Sequence, residues 1–186
     1  MGHRARLAPE RAGQWVRVAC TGHRPQGLPP GSEQWLAEEL RRIAAKLAAD
    51  HGTQVAISGA AAGADLIWAE AGHDSGIPVW LYQPYTGHYS RWPQDWQHRL
   101  FAAREFAGRV DTLGDRFSVQ VLHARSDWMI RDCDAVVAVL DPLRRSGGTV
   151  QALQRVSATT PVIHVDVRNR RTSLRVPARC GAAPAS

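Results

Sequence analysis

Arginines, glycines and a threonine placed where apolar strands give way to helices are the residues of this sequence best suited to hold an anion. Three such groups recur along the chain: Thr21-Gly22-His23-Arg24-Pro25, then Ser58-Gly59-Ala60-Ala61-Ala62-Gly63-Ala64-Asp65, then Asp141 followed by Gly147-Gly148-Thr149. Glycine lets a backbone come close to a ligand, and a helix start leaves N–H groups unpaired, which favours a phosphate. Arg125 adds a planar guanidinium that can grip two phosphate oxygens at once. Thr149 can donate its hydroxyl and N–H to the same group, or cap the helix that follows. His23 and Arg24 can contact phosphate, ribose or base. Asp65 can accept from a ribose hydroxyl or act only as a favourable charge at a helix N-terminus. A lone Gly147-Gly148 fits a plain turn equally well, so the weight rests on the recurrence of the pattern.

The elements that must position these groups alternate. Trp15–Cys20 reads as a first strand, and Ser32 as the cap of a helix with Leu36, Leu40, Ile43, Ala44 and Leu47 on one face, stopped at His51-Gly52. Gln54–Ile57 is a second strand, followed by a helix carrying Leu66, Trp68, Ala69 and Ala71. Gly76–Tyr82 is a third, Thr86 to Ala107 a loop and then a helix, and Arg109–Leu113 a short strand. A helix from about Ala124 to Asp132 leads into Ala135–Leu140, an apolar run suited to a strand buried on both faces. Val150, Leu153 and Val156 mark a further helix, and Pro161–Asp166 the last buried strand. Such alternation predicts an α/β, Rossmann-like three-layer sandwich: a mainly parallel sheet with helices on both faces. Ligands of such sheets sit beyond the carboxyl ends of the strands, where all three groups fall.

A length of 186 residues suits one domain, and no apolar run approaches a membrane span. The positively charged start lacks a following apolar stretch, so a cytoplasmic location without membrane contact is expected. Cys20, Cys133 and Cys180 are too far apart for a CxxC pair and are expected to be reduced. The net charge of +6 is uneven: residues 15–166 sum to −1, and the excess lies in 1–14 and 167–186. The boundaries expected are therefore a polar arm over 1–14, the α/β domain over 15–166 and a basic, disordered tail over 167–186. Nucleic acid would then bind only weakly, through that tail. The eight histidines form no HxxxH or His/Cys cluster, so neither a metal nor a cofactor is expected.

Thr21-Gly22-His23-Arg24-Pro25, Ser58-Gly59-Ala60 with Gly63 and Asp65, the stretch Arg125 to Asp134, and Gly147-Gly148-Thr149 resemble, in that order, the TGHRP-type, YpsA-like branch of the SLOG superfamily. More distantly the chain is similar to Lonely Guy phosphoribohydrolases and to DNA-processing protein A. The resemblance covers residues 15–166 and implies a Rossmann-like fold, a nucleotide or nucleotide-derived ligand, and a homodimer. Arg125-Ser126-Asp127-Trp128-Met129 keeps the arginine and methionine of a Lonely Guy motif, and Gly148-Thr149 the end of another. The glutamate that the second motif carries three residues further on is replaced by Ala152.

The function expected is binding, for sensing or sequestration, of a nucleotide or nucleotide-derived phosphorylated small molecule. Two alternatives stand beside it. One is N-glycosidic hydrolysis of a nucleoside 5′-monophosphate, which Ala152 argues against because a methyl group handles no proton. The other is nucleic-acid binding. Asp127, Asp134 and Glu70 are the further carboxylates open to acid/base work, and Trp128 and Tyr85 the rings open to stacking on a base.

Overall fold

The computed structural model describes residues 14–176. Its seven strands are β1 (Arg17–Gly22), β2 (Val55–Ser58), β3 (Val79–Tyr85), β4 (Arg109–Gly114), β5 (Ala135–Leu140), β6 (Val162–Asp166) and β7 (Arg171–Arg175). Between them lie α1 (Glu33–His51), α2 (Ala64–Asp74), α3 (Gln94–Phe106), α4 (Val119–Arg131) and α5 (Gly148–Gln154). The sheet runs in the order β4-β3-β2-β1-β5-β6-β7, with β1 to β6 parallel and β7 antiparallel to β6. The α/β three-layer architecture is thus the one expected.

Alternation along each strand supplies the two faces. Val18, Cys20, Ala56, Val79, Leu81, Val137 and Val139 turn to one side, where Leu36, Leu40, Ile43 and Leu47 of α1, Leu66 of α2 and Trp96 and Leu100 of α3 complete the main core. Ala19, Ile57, Tyr82, Val136 and Ala138 turn to the other, which α4 covers with Met129 and the α5 region with Val156. On the first face Arg99 ties three helices together. It lies over the Trp96 ring, grips Glu70 of α2 at 2.7 and 2.6 Å, and reaches Glu33 of α1 at 2.7 Å.

Several boundaries move for local reasons. Ser32 precedes α1 but gives it no side-chain cap; its hydroxyl donates to the Pro29 carbonyl instead. Helix α4 starts at Val119 rather than near Ala124, because Ser118 accepts a hydrogen bond from the Val121 N–H at 3.0 Å and caps it. The domain does not end at 166. Val167 is buried, and Arg171–Arg175 form β7 in the part of the expected tail that is described. Residues 1–13 of the arm, and 177–186 with Cys180, lie outside the described residues. Among the described residues no helix is long and apolar enough to cross a membrane.

The β6–β7 connection is fastened to the end of β5. Arg168 donates to both carboxylate oxygens of Asp141, at 2.8 and 2.6 Å, and the Leu143 N–H donates to the same side chain. The Arg168 hydrogen bonds hold the Asp141 carboxyl down at about 2. A lowered carboxyl stabilises the fold fully above its ordinary value of about 4 and less as pH falls through about 2. Arg168→Gln is therefore expected to be less stable than the parent near pH 7 and to converge with it as pH falls through and below about 2. Denaturant unfolding across that range measures the convergence; a gap independent of pH would contradict it.

Candidate functional site

Strand β1 lies inside the sheet. From it the chain works outward through β2, β3 and β4, then crosses back to lay β5 on the other side. The loops leaving β1 and β5 therefore diverge and open a crevice at the carboxyl edge, where ligands of such sheets bind. A hollow of about 490 Å³ occupies that place. It is lined by Thr21, Gly22, His23 and Arg24 after β1, Asp65 after β2, Arg125 on α4, and Gly147, Gly148 and Thr149 after β5. Groups far apart in sequence thus meet at one site, of a size suited to a small molecule.

The turn after β2 is shaped by close approach. Gly63 has φ +97, and a Cβ there would stand 2.5 Å from the His23 carbonyl oxygen. Gly59 is tighter still: an added Cβ would come within 1.4 Å of Arg125 Nη1 and 2.5 Å of Asp65 Oδ2. Ser58 and Ala60, expected as ligand contacts, do not line the hollow and instead shape the turn. The Ser58 hydroxyl donates to the Asp65 carbonyl at 2.6 Å and accepts from the Ala60 N–H, which closes the turn. Ala60, at φ +51, is fully buried and presents its carbonyl to His88 Nε2 at 3.0 Å. The neighbouring Ala61 is the alanine that lines the hollow.

Above Gly59 lies the main ion pair of the site. Arg125 Nη1 donates to Asp65 Oδ2 at 2.9 Å, with the side chains only 13% and 6% exposed. The same nitrogen lies 3.7 Å from Met129 Sδ, which joins the two residues of the Arg125 to Met129 motif. Arg125 Nε is buried without a hydrogen-bond partner among the described residues, and so is Nε2 of buried His23. Burial and the nearby Arg144 guanidinium push the His23 imidazole below its ordinary value.

The loop after β5 is built differently from a long phosphate-binding helix. Gly147 has φ +113, a conformation that favours glycine, whereas Gly148 has open space around its Cβ position. Helix α5 spans only Gly148–Gln154, so its dipole is short. Asp141 does not line the hollow, because its carboxylate is taken by Arg168 and the Leu143 N–H. In its place the loop offers exposed Arg144, whose Nη2 donates to the Gln26 carbonyl at 2.8 Å. Arg144, Gln26, His123, Ser126, Gln151 and Arg155 also line the site and were not singled out by sequence. None of these carried a signal in the sequence: His123 and Ser126 stand two residues before and one after Arg125, spacings that do not share a helix face.

The carboxylates open to acid/base work are occupied. Glu70 is held by Arg99, Asp127 by Arg155 at 3.1 Å, and Asp134 accepts from the Arg17 N–H at the opposite end of the sheet. Asp65 is the one carboxylate among the described lining residues. Ala152 is buried beside Met129, Ile130 and Val136. Trp128 lies edge-on to Tyr82, away from the hollow.

No protein-family model matches the sequence, and a search of curated proteins finds no match either. Among solved structures the fold is similar to DNA processing protein A from Helicobacter pylori, described for its single-stranded DNA binding mode. That pair shows a TM-score of 0.54 and 21% identity over 83% of this chain and 70% of the other. DNA processing protein A from Streptococcus pneumoniae gives a TM-score of 0.53 and 16% identity over 76% of this chain and 47% of that one. The likeness is one of fold.

If Gly59 is there to seat Arg125, the two must be coupled. Gly59→Ala is expected to cost about 1–3 kcal/mol through overpacking. In an Arg125→Ala background the same change should cost much less. A double-mutant cycle by chemical denaturation measures the coupling, and additive losses would show that the two do not share one space.

Proposed function

We propose that the hollow binds a nucleotide or a nucleotide-derived phosphorylated small molecule. The observation that carries this is the pair of buried, unpartnered nitrogens, His23 Nε2 and Arg125 Nε, on side chains that line it. A buried polar atom without a hydrogen bond is costly, and a ligand that supplies the partner removes that cost. The chemistry around them is cationic: Arg24, Arg125, Arg144 and Arg155 share the lining with Asp65 alone among carboxylates. Guanidinium groups suit a phosphate, while the neutral polar Gln26, Ser126 and Gln151 suit the edge of a base or a ribose. With the neighbouring carboxylates engaged and Ala152 buried in apolar surroundings, binding is favoured over hydrolysis.

One observation favours a second function. In a parallel sheet all strands end at one rim, and the loops there carry exposed Arg24, Arg91, Arg116, Arg144, Arg145 and Arg170. Together with the likeness to a protein described as binding single-stranded DNA, this rim supports a polynucleotide bound along it.

Thermal unfolding with ribonucleoside 5′-monophosphates and the matching nucleosides tests the first function. Monophosphates are expected to raise Tm by several degrees at saturation, and nucleosides by less. Arg125→Ala should lose most of the monophosphate effect and little of the nucleoside effect; equal losses would mean that the arginine does not serve the phosphate. Gly148→Trp should stay folded, given the space at that position, and lose the response. A labelled single-stranded oligonucleotide that binds with steep salt dependence and resists displacement by monophosphates would favour the second function.

A further inference from the structure

Beside the hollow lies an aromatic surface that the nucleotide assignment does not use. Phe117 is 61% exposed. Ser118 next to it caps α4, and Val121 packs so closely on Gly114 that a Cβ on that glycine would stand 2.9 Å from Val121 Cγ2. The Thr86 N–H donates to the Gly114 carbonyl at 3.0 Å, tying the loop after β3 to the end of β4. Tyr85 then backs Phe117 edge to face, with centroids 5.8 Å apart, and is itself edge-on to His88 at 6.0 Å. The Phe117 ring is thus exposed and braced from behind by Tyr85.

Phe117 lies two residues ahead of α4, whose first turn includes Leu122, and Leu122 and His123 line the hollow. At about 1.5 Å of rise per residue the ring stands within roughly two helical turns of that wall. From the other direction Arg24, which also lines the hollow, lies 5.5 Å from the Trp92 ring centroid. A cation of the hollow thus borders an aromatic ring on the side of the loop after β3 from which Tyr85 backs Phe117, a pairing of groups suited to phosphate and base.

We propose that Phe117, backed by Tyr85, is a second subsite on which the second base of a dinucleotide stacks while its first nucleotide occupies the hollow. This rests on the nucleotide assignment above and narrows its ligand class to molecules carrying two bases. Arg24, between the subsites, faces the linking phosphate.

The test is calorimetric titration of the full chain with ribonucleoside 5′-monophosphates and with the corresponding 5′-phosphorylated dinucleotides. The dinucleotide is expected to bind roughly tenfold or more tightly than its monophosphate. Phe117→Ala should remove that advantage and leave monophosphate affinity unchanged. Phe117→Trp should keep the advantage, and Trp128→Ala, an exposed ring away from the hollow, should alter neither. Equal affinities for both ligands in the parent, or a Phe117→Ala loss shared by both, would overturn the second subsite alone. Absence of binding by either ligand class would overturn the subsite and the nucleotide assignment together.

Discussion

Arg125 and Asp65 meet across the carboxyl edge of the sheet, and the candidate site depends on that contact. Asp65 begins a helix packed on one face, and Arg125 lies on a helix packed on the other. A charge pair this well buried is stable only with good geometry and few unmet donors. The missing Cβ of Gly59 supplies the space, and the Ser58 hydroxyl fixes the turn that carries Asp65. What the pair leaves unmet, the Nε of the same guanidinium, is then a feature for a ligand to satisfy. The same two side chains that close the edge also line the hollow.

Topology explains how a domain with a summed charge of −1 over residues 15–166 can still present a cationic cleft. A parallel sheet delivers every strand end to one rim, so arginines of the loops after β1 and β5 gather there, apart from carboxylates such as Asp134 at the other end. Within the rim the acids are neutralised locally, Asp141 by Arg168 and Asp65 by Arg125. A whole-domain sum erases this separation, and field at a cleft follows the local arrangement.

Sequence and structure agree where the signal is local. The apolar runs of β1, β5 and β6, the helical spacing of α1 and the glycine turns after β1, β2 and β5 were all legible, because strand burial and backbone freedom are written in neighbouring residues. β7 was not: Arg171-Thr172-Ser173-Leu174-Arg175 is a polar edge strand that carries no apolar run, and it reads as tail until β6 is there to pair with it. Asp141 and Ser58 looked like ligand contacts because their types and positions fit. Their actual partners, Arg168 and the Asp65 carbonyl, are set by tertiary contacts that spacing does not encode. Phe117 was passed over for the opposite reason, since a single phenylalanine in a loop signals nothing until its exposure is known.

The central claim is that the strand-end hollow grips a phosphate through Arg125 and its neighbours. A crystal structure of the protein soaked with a ribonucleoside 5′-monophosphate tests it most directly. The result expected is a nucleotide between the loops after β1 and β5, with its phosphate within hydrogen-bond distance of the lining arginines and a ligand atom on His23 Nε2. A hollow that holds only solvent while the nucleotide sits elsewhere on the molecule would contradict the account.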